Sequence, residues 1–288
     1  MKRRDVLRGT LMGGAALALY PAWSLAEPAA KASSHALAAL EKKHGGRLGV
    51  AILDLHGGQR LAHRGDERFL MCSTFKLLLV ATLLARVDAG KEDLGRRIVF
   101  DKTALLDWSP VTGLNVGAPG MSINGLCGAA MIMSDNSAAN LLLDAVGGPS
   151  AVTAFARRLG DTKTRLDHGE PQVNAKHGDD DTTTPWSMLG DMRKLLLGGA
   201  LSATSRERLT GWFVHNLTGA QTLRAGLPSD WRIGDKTGSG HHANNDVAIA
   251  WPPRRKPLLI ASYYETGDHD VAARQAVLAE VGRIAATL

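Results

Sequence analysis

Alanines and leucines recur at helical spacing over residues 30–43, and an unbroken apolar run, Leu48-Gly49-Val50-Ala51-Ile52-Leu53, follows. A short apolar run bounded by His56-Gly57-Gly58 predicts a strand, a turn and a return strand over 59–63. From Ser73 onward the apolar period lengthens to that of a helix. Segments 75–87, 125–133, 137–146, 150–159, 185–197 and 202–216 are predicted helices. Strand patterns return at 231–236, 246–251 and 258–264, and a helix over 271–286 closes the chain.

Strands at both ends with helices between them imply that the two ends share one sheet. The expected class is α+β. An antiparallel sheet carries the terminal helices, and a mainly helical lobe packs beside it. The expected division is an α/β lobe of residues 27–65 and 212–288 and a helical lobe of residues 66–211. Ser73 would then open the helical lobe while Lys236 lies on the sheet, so a site using both would occupy the cleft between them.

Composition narrows the class. The chain has 288 residues, 44% hydrophobic and 22% charged, as in an ordinary globular protein with a substantial core. Residues 1–26 stand apart: a basic start, Lys2-Arg3-Arg4-Asp5-Val6-Leu7-Arg8, an apolar stretch from Leu11 to Tyr20, and small residues at Ser24-Leu25-Ala26. This pattern reads as a secretory signal, with Arg3-Arg4 favouring the twin-arginine route over an ordinary Sec signal. The expected location is periplasmic, with no stable membrane association once the signal is removed. The segment carries four basic residues and one acidic residue, +3, so the remaining chain falls from +6 to +3. No basic run is interleaved with aromatics, which argues against nucleic-acid binding. No internal apolar run is long enough to span a bilayer.

Three short motifs carry the chemistry: Ser73-Thr74-Phe75-Lys76, Ser134-Asp135-Asn136 and Lys236-Thr237-Gly238. A serine three residues before a lysine on a helix shares a face with it, which sets a hydroxyl beside an amine that can activate it. Each motif alone has an ordinary reading: a surface pair, a helix cap, a turn. Together, in this order and at domain-scale separation, they resemble the signature of class A serine β-lactamases and penicillin-binding proteins. The likeness extends through Glu67-Arg68-Phe69, Trp108-Ser109-Pro110-Val111-Thr112-Gly113, Arg165-Leu166-Asp167, Glu170-Pro171, Asn174, Asp181-Thr182-Thr183, Ser239-Gly240, Asn245-Asp246-Val247-Ala248 and Trp251-Pro252. It covers essentially the whole chain after the signal, and the chain is identified as resembling a class A serine β-lactamase.

That resemblance implies hydrolysis of the β-lactam amide of penicillins and cephalosporins through an acyl-enzyme. Ser73 would attack, and Lys76 or Glu170 would accept its proton. The N–H groups of Ser73 and Ser239 would hold the oxyanion. Ser134 would pass a proton to the leaving nitrogen. Lys236 and Thr237 would bind the substrate carboxylate, Asn136 the side-chain amide, and Trp108 would line the entrance. Glu170, helped by Asn174, would drive a water onto the acyl-enzyme. The family uses no cofactor and no metal, and the expected form is a monomer acting on small β-lactams. Without a working Glu170 the same scaffold is a D,D-peptidase or a covalent β-lactam sensor. The Glu170-Pro171 bond is expected to be cis.

The pattern departs from the family in places. An arginine and a tryptophan usually precede the glutamate of the Ω-loop, the loop that carries the deacylating base. Here His168 and Gly169 stand there, and His168 pairing with Asp181 is the expected replacement anchor. The usual carboxylate-supporting arginine is replaced at positions resembling Asn245, Thr222 and Gln275, and sequence gives Arg224 and Arg274 no place in the site. The disulfide partners that relatives have for Cys72 and Cys127 are missing, so both are expected as free, buried thiols. Trp186, Trp212 and Trp231 are expected in the core, and His177, His241 and His242, with His168 where it is not the anchor, in solvent, with His241 and His242 able to tune the cleft mouth.

Overall fold

The computed structural model describes residues 26–267 and 270–288. The predicted signal, apart from Ala26, lies outside them. In chain order the elements are α1 (Ala26–His44), β1 (Arg47–Asp54), β2 (Arg60–His63), β3 (Phe69–Leu70), α2 (Phe75–Asp88), β4 (Arg97–Ile98), β5 (Met121–Ser122), α3 (Ile123–Ile132), α4 (Asn136–Val146), α5 (Pro149–Arg158), β6 (Thr182–Thr183), α6 (Pro185–Leu196), α7 (Ala203–Val214), α8 (Leu223–Gly226), β7 (Arg232–Ser239), β8 (Ala243–Trp251), β9 (Leu258–Glu265) and α9 (Val271–Ala285). Every helix and strand expected from periodicity is present, with ends shifted by a few residues. The paired two-residue strands and the four-residue α8 carry too little pattern to be read from sequence.

Five antiparallel strands form the main sheet in the order β2-β1-β9-β8-β7, so the first and last parts of the chain do share it. Side chains alternate across a strand, and here both faces are covered. Val247, Ile249, Leu259, Ala261 and Tyr263 point into the core under the helical lobe. Ala248, Ala250, Leu258, Ile260 and Tyr264 join Leu37 of α1 and Leu278 of α9 in a second core on the other face. Trp186 and Trp212 pack against the first core and Trp231 against the second, each half-buried.

α2 is buried on all sides from Phe75 to Leu84, Lys76 included. A helix apolar all round belongs at the centre of a lobe. Its neighbours begin at polar caps: Ser122 accepts from Gly125 N, Asp135 from Ala138 N, and Thr184 from Ser187 N with Pro185 at the first helical position. These caps fix where each helix starts, and the Asp135 cap sits in the wall of the cleft. β3 pairs with β6, which ties the segment before the nucleophile to the end of the Ω-loop.

Candidate active site

Ser73 lies in the 3-10 turn Cys72–Thr74 that leads into α2, and Cys72 adopts a left-handed φ of 44°. Non-glycine residues take that conformation at a cost. A buried amide holds the turn, since Asn245 of β8 donates through Nδ2 to the carbonyls of Leu70 (2.8 Å) and Met71 (3.0 Å). β7 approaches from the sheet side. A Cβ on Gly238 would lie 2.8 Å from the Met71 carbonyl and 3.2 Å from Ser73 N, so glycine is what admits the strand there. Ser239 follows at the end of the same strand and lines the same cavity as Ser73.

One helical turn on, Lys76 points back at the nucleophile. Its Nζ donates to Ser73 Oγ (2.9 Å), the Ser134 carbonyl (2.8 Å) and Asn136 Oδ1 (2.7 Å), and lies 3.0 Å from Glu170 Oε1. Ser73 Oγ in turn donates to Glu170 Oε1 at 2.9 Å. Lys76 and the Glu170 side chain are fully buried. Burial pulls the ammonium of Lys76 below its ordinary pKa, and the Glu170 carboxylate opposes that.

Glu170 is braced from two sides. Its backbone N–H donates to Asn140 Oδ1 (2.9 Å) and its carbonyl accepts from Asn140 Nδ2 (2.8 Å), while Asn174 Nδ2 donates to Oε2 (2.7 Å). The Glu170-Pro171 bond is cis, as expected. Sequence reasoning missed Asn140. It belongs to no motif, and only the close return of the loop onto α4 reveals it. The loop closes as anticipated: the ring Nδ1 of His168 sits 2.6 Å from Asp181 Oδ2, and the N–H groups of Asp167 and His168 donate to Asp181 Oδ1. His168 is therefore a half-exposed anchor and not a solvated bystander.

On the opposite wall Lys236 Nζ donates to Ser134 Oγ at 2.9 Å, and Ser134 Oγ lies 3.5 Å from Lys76 Nζ. Burial, then the charge of Lys76, pushes the Lys236 pKa down to about 7. Thr237 Oγ1 is 2.5 Å from Thr218 Oγ1, which also bonds Asn216 Oδ1. Beneath them Asp235 pairs with Arg224 and accepts from Asn216 Nδ2 (2.8 Å), and Asp246 accepts from Thr222 Oγ1 (2.6 Å). Burial raises the pKa of both acids. Arg224 is thus placed under the carboxylate end of the site. Arg274, buried on α9, holds the carbonyls of Gly240 and His241 at the end of β7.

Trp108 stands at the mouth, 60% exposed, with Nε1 donating to the Met133 carbonyl (2.8 Å). Asp135 latches its loop by accepting from Val111 N and Thr112 N, both at 2.9 Å. Ser73, Trp108, Ser134, Asn136, Glu170, Asn174, Thr237 and Ser239 line one cavity of about 480 Å³, together with Thr222 and Gln275, and Lys76 and Lys236 lie buried behind it. All ten residues expected from sequence therefore converge. Cys72 and Cys127 are free and buried. Among the described residues no cluster of three or more His, Cys, Asp or Glu could hold a metal ion.

This arrangement can activate a hydroxyl, stabilise an oxyanion and bind a carboxylate. The chain is similar to known proteins over most of its length. The description "Beta-lactamase enzyme family" matches residues 32–287. The chain is 41% identical over 277 residues to "Beta-lactamase OXY-1" of Klebsiella oxytoca, covering 95% of each, and 46% identical over 252 residues to "Beta-lactamase L2" of Stenotrophomonas maltophilia, covering 86% of this chain and 83% of that one. Among solved structures it superposes on an ancestral (GNCA) class A β-lactamase with a TM-score of 0.85 at 56% identity, covering 88% and 98% of the two chains. A β-lactamase from Xanthomonas campestris pv. campestris gives a TM-score of 0.86 at 46% identity, covering 89% and 97%.

Proposed function

The chain belongs to the class A serine β-lactamases, and from that premise we propose a role for each residue of the cleft in opening the β-lactam amide. The activity itself, hydrolysis of β-lactams, is that of the family. Penicillins and cephalosporins are the substrates, held by Lys236 and Thr237 at their carboxylate and by Asn136 at their side-chain amide.

The observation that carries the assignment is the contact set around Ser73 Oγ, which donates to Glu170 Oε1 while accepting from Lys76 Nζ. Lys76 faces four acceptors and has three protons as an ammonium, so it acts as a donor. Glu170 is then the base that removes the Ser73 proton. The alkoxide attacks the ring carbonyl, and the N–H groups of Ser73 and Ser239 take up the developing oxyanion. One such donor typically supplies about 10²–10³ in rate. The departing nitrogen receives its proton from Ser134, which Lys236 and Lys76 flank at 2.9 and 3.5 Å.

Deacylation returns to Glu170. Asn174 Nδ2 fixes one carboxylate oxygen, and its Oδ1 is buried without a protein partner, an acceptor suited to a water. A water held between them would be deprotonated by Glu170 and would attack the ester. The braced carboxylate favours turnover over the long-lived acyl adduct of a D,D-peptidase or sensor. Export to the periplasm through the leader is part of this reading. Among the described residues no helix is long and apolar enough to cross a membrane.

The test is intact-mass spectrometry beside a hydrolysis assay, with a penicillin and a chromogenic cephalosporin. Wild type should turn over without accumulating adduct, and Glu170→Ala should retain a covalent acyl group on Ser73. A stable adduct on wild type would overturn the deacylation role and return the protein to the sensor reading.

A further inference from the structure

Behind the Ω-loop lies a groove of about 770 Å³, larger than the catalytic cavity and walled mainly by carbon. Its floor is the small apolar cluster of Leu70 and Ala243, which packs on Cys72. Asn174, Ala175 and Lys176 of the Ω-loop form one side and the end of β9 the other. A void of this size matches a drug-sized ligand.

The rim is cationic. Arg47 and Lys176 face the groove, and Glu265 is the sole carboxylate in its lining. That carboxylate is already engaged: Arg47 Nη1 reaches it at 2.6 Å and Leu70 N–H at 3.2 Å. Lys176 lies farther off, at 3.7 Å, with a side chain 63% exposed. Arg47 also pairs with Glu67 at 3.1 Å, so Lys176 is the less engaged cation of the rim, and an apolar floor beside it selects a flat apolar body bearing an anionic group.

Asn174 lines this groove and the catalytic cavity alike, and its Nδ2 holds Glu170 at 2.7 Å. Cys72, under the groove floor, is the residue before the nucleophile. An occupant would therefore lie against Asn174, the residue whose Nδ2 orients the deacylating base, without entering the space over Ser73. We propose that this groove is a second ligand site, selective for a flat aromatic anion, and that its occupant slows turnover through Asn174.

The probe is 1-anilinonaphthalene-8-sulfonate, titrated by fluorescence and used as an inhibitor of chromogenic cephalosporin hydrolysis. A single saturable site is expected, with inhibition that lowers kcat at saturating substrate. Gly267 lines the far wall, and a Cβ there meets nothing within 4 Å. Gly267→Phe should fill the groove and weaken binding at least about tenfold, which is 1.4 kcal/mol, while its own kcat/KM stays near wild type. Lys176→Gln should weaken the anion about threefold and leave the uncharged N-phenyl-1-naphthylamine unaffected, as expected of one partly exposed charge. The proposal is overturned by the absence of a saturable site, by affinity unchanged in both variants, or by inhibition that is purely competitive or missing. The fluorescence titration needs no turnover, so a failure of the hydrolytic assignment would be seen separately.

Discussion

Replacing His168 by alanine removes the ring that bonds buried Asp181, and the loss should depend on pH in one direction. Asp181 keeps the N–H groups of Asp167 and His168 on Oδ1 and loses its partner on Oδ2. A charge-assisted bond to a buried carboxylate contributes about 1.5–3 kcal/mol. The His168 side chain is 39% exposed, and solvent screening reduces that to about 1 kcal/mol. In a chain of this size the change corresponds to about 2–4 °C in Tm. The bond to Asp181 raises the His168 pKa, with burial opposing and the charges of Asp181, Asp180 and Asp167 adding to the rise. Arg165, which pairs with Asp167 and Asp180, and the ring of His177 complete the surroundings. Because the folded value lies above the unfolded one, the stabilisation is complete below about pH 6.5 and declines as pH rises through the folded value. The Tm gap between wild type and His168→Ala should therefore be widest near pH 6 and narrow towards pH 9. It should not vanish, since neutral imidazole still donates from one nitrogen. His168→Arg, charged throughout, should show no such trend. Scanning fluorimetry and kcat for a chromogenic cephalosporin, measured across the same range, test this together, because Glu170 sits two residues from His168. A gap independent of pH, or no gap at all, would refute the anchor.

Three further outcomes follow from buried groups. Asp191 is pushed up to about 9 by burial and by Asp161 beside it, so folding retains a proton and stability falls as pH rises between about 4 and 9. Asp191→Asn should consequently melt higher than wild type at pH 9 and lose most of that advantage at pH 5. Lys236 near 7 predicts an alkaline limb in kcat/KM close to that pH, since the free enzyme would lose the charge proposed to bind the substrate carboxylate. Lys236→Arg should move the limb upward, and an unmoved limb would assign it to another group. Burial also raises the thiol pKa of Cys72 and Cys127, so Ellman's reagent should find no reactive thiol in the native protein and two after denaturation.

Part of the candidate site was legible within short motifs, while Trp108, Glu170, Asn174 and Ser239 were reached through the family resemblance. Ser73 and Lys76 share a helix face, and Lys236 and Thr237 follow one another on a strand. The main elements were legible too, since the run from Leu48 to Leu53 and the apolar span of α2 carry strong periods. What stayed hidden acts across long separations through single polar side chains. Asn140 meets Glu170 across 30 residues, and Asn245 meets Leu70 across 175. Neither has a local pattern, because nothing in the neighbourhood of an asparagine says which distant carbonyl it will face. Arg224 illustrates the same limit: its partner Asp235 lies on another element, so sequence alone gave it no place. His168 was legible as an anchor only through the family resemblance, in which an arginine before the glutamate pairs with the aspartate that closes the loop.

The residues that clamp the backbone share one physical task. Six non-glycine residues among those described have positive φ, and four of them, Cys72, Trp108, Ser134 and Asp181, belong to the cleft or to the loop that closes it. Such conformations cost on the order of 1–3 kcal/mol each and persist only where surrounding contacts over-determine them. Here the contacts are buried polar clamps. Asn245 holds the carbonyls before Cys72, Asp135 grips the loop after Trp108 and caps the helix after Ser134, and Asp181 gathers two backbone N–H groups and a ring. Each clamp offsets local strain with bonds whose loss would cost a similar amount, about 1–3 kcal/mol for a buried group left unpaired. Ser73, Ser134 and Glu170, the groups proposed as nucleophile, proton shuttle and base, are thereby aimed before any substrate arrives, which is the condition under which fixed dipoles stabilise a transition state. A sheet and a helical lobe supply two rigid walls, but it is these few amides and carboxylates that convert the gap between them into a site with one geometry.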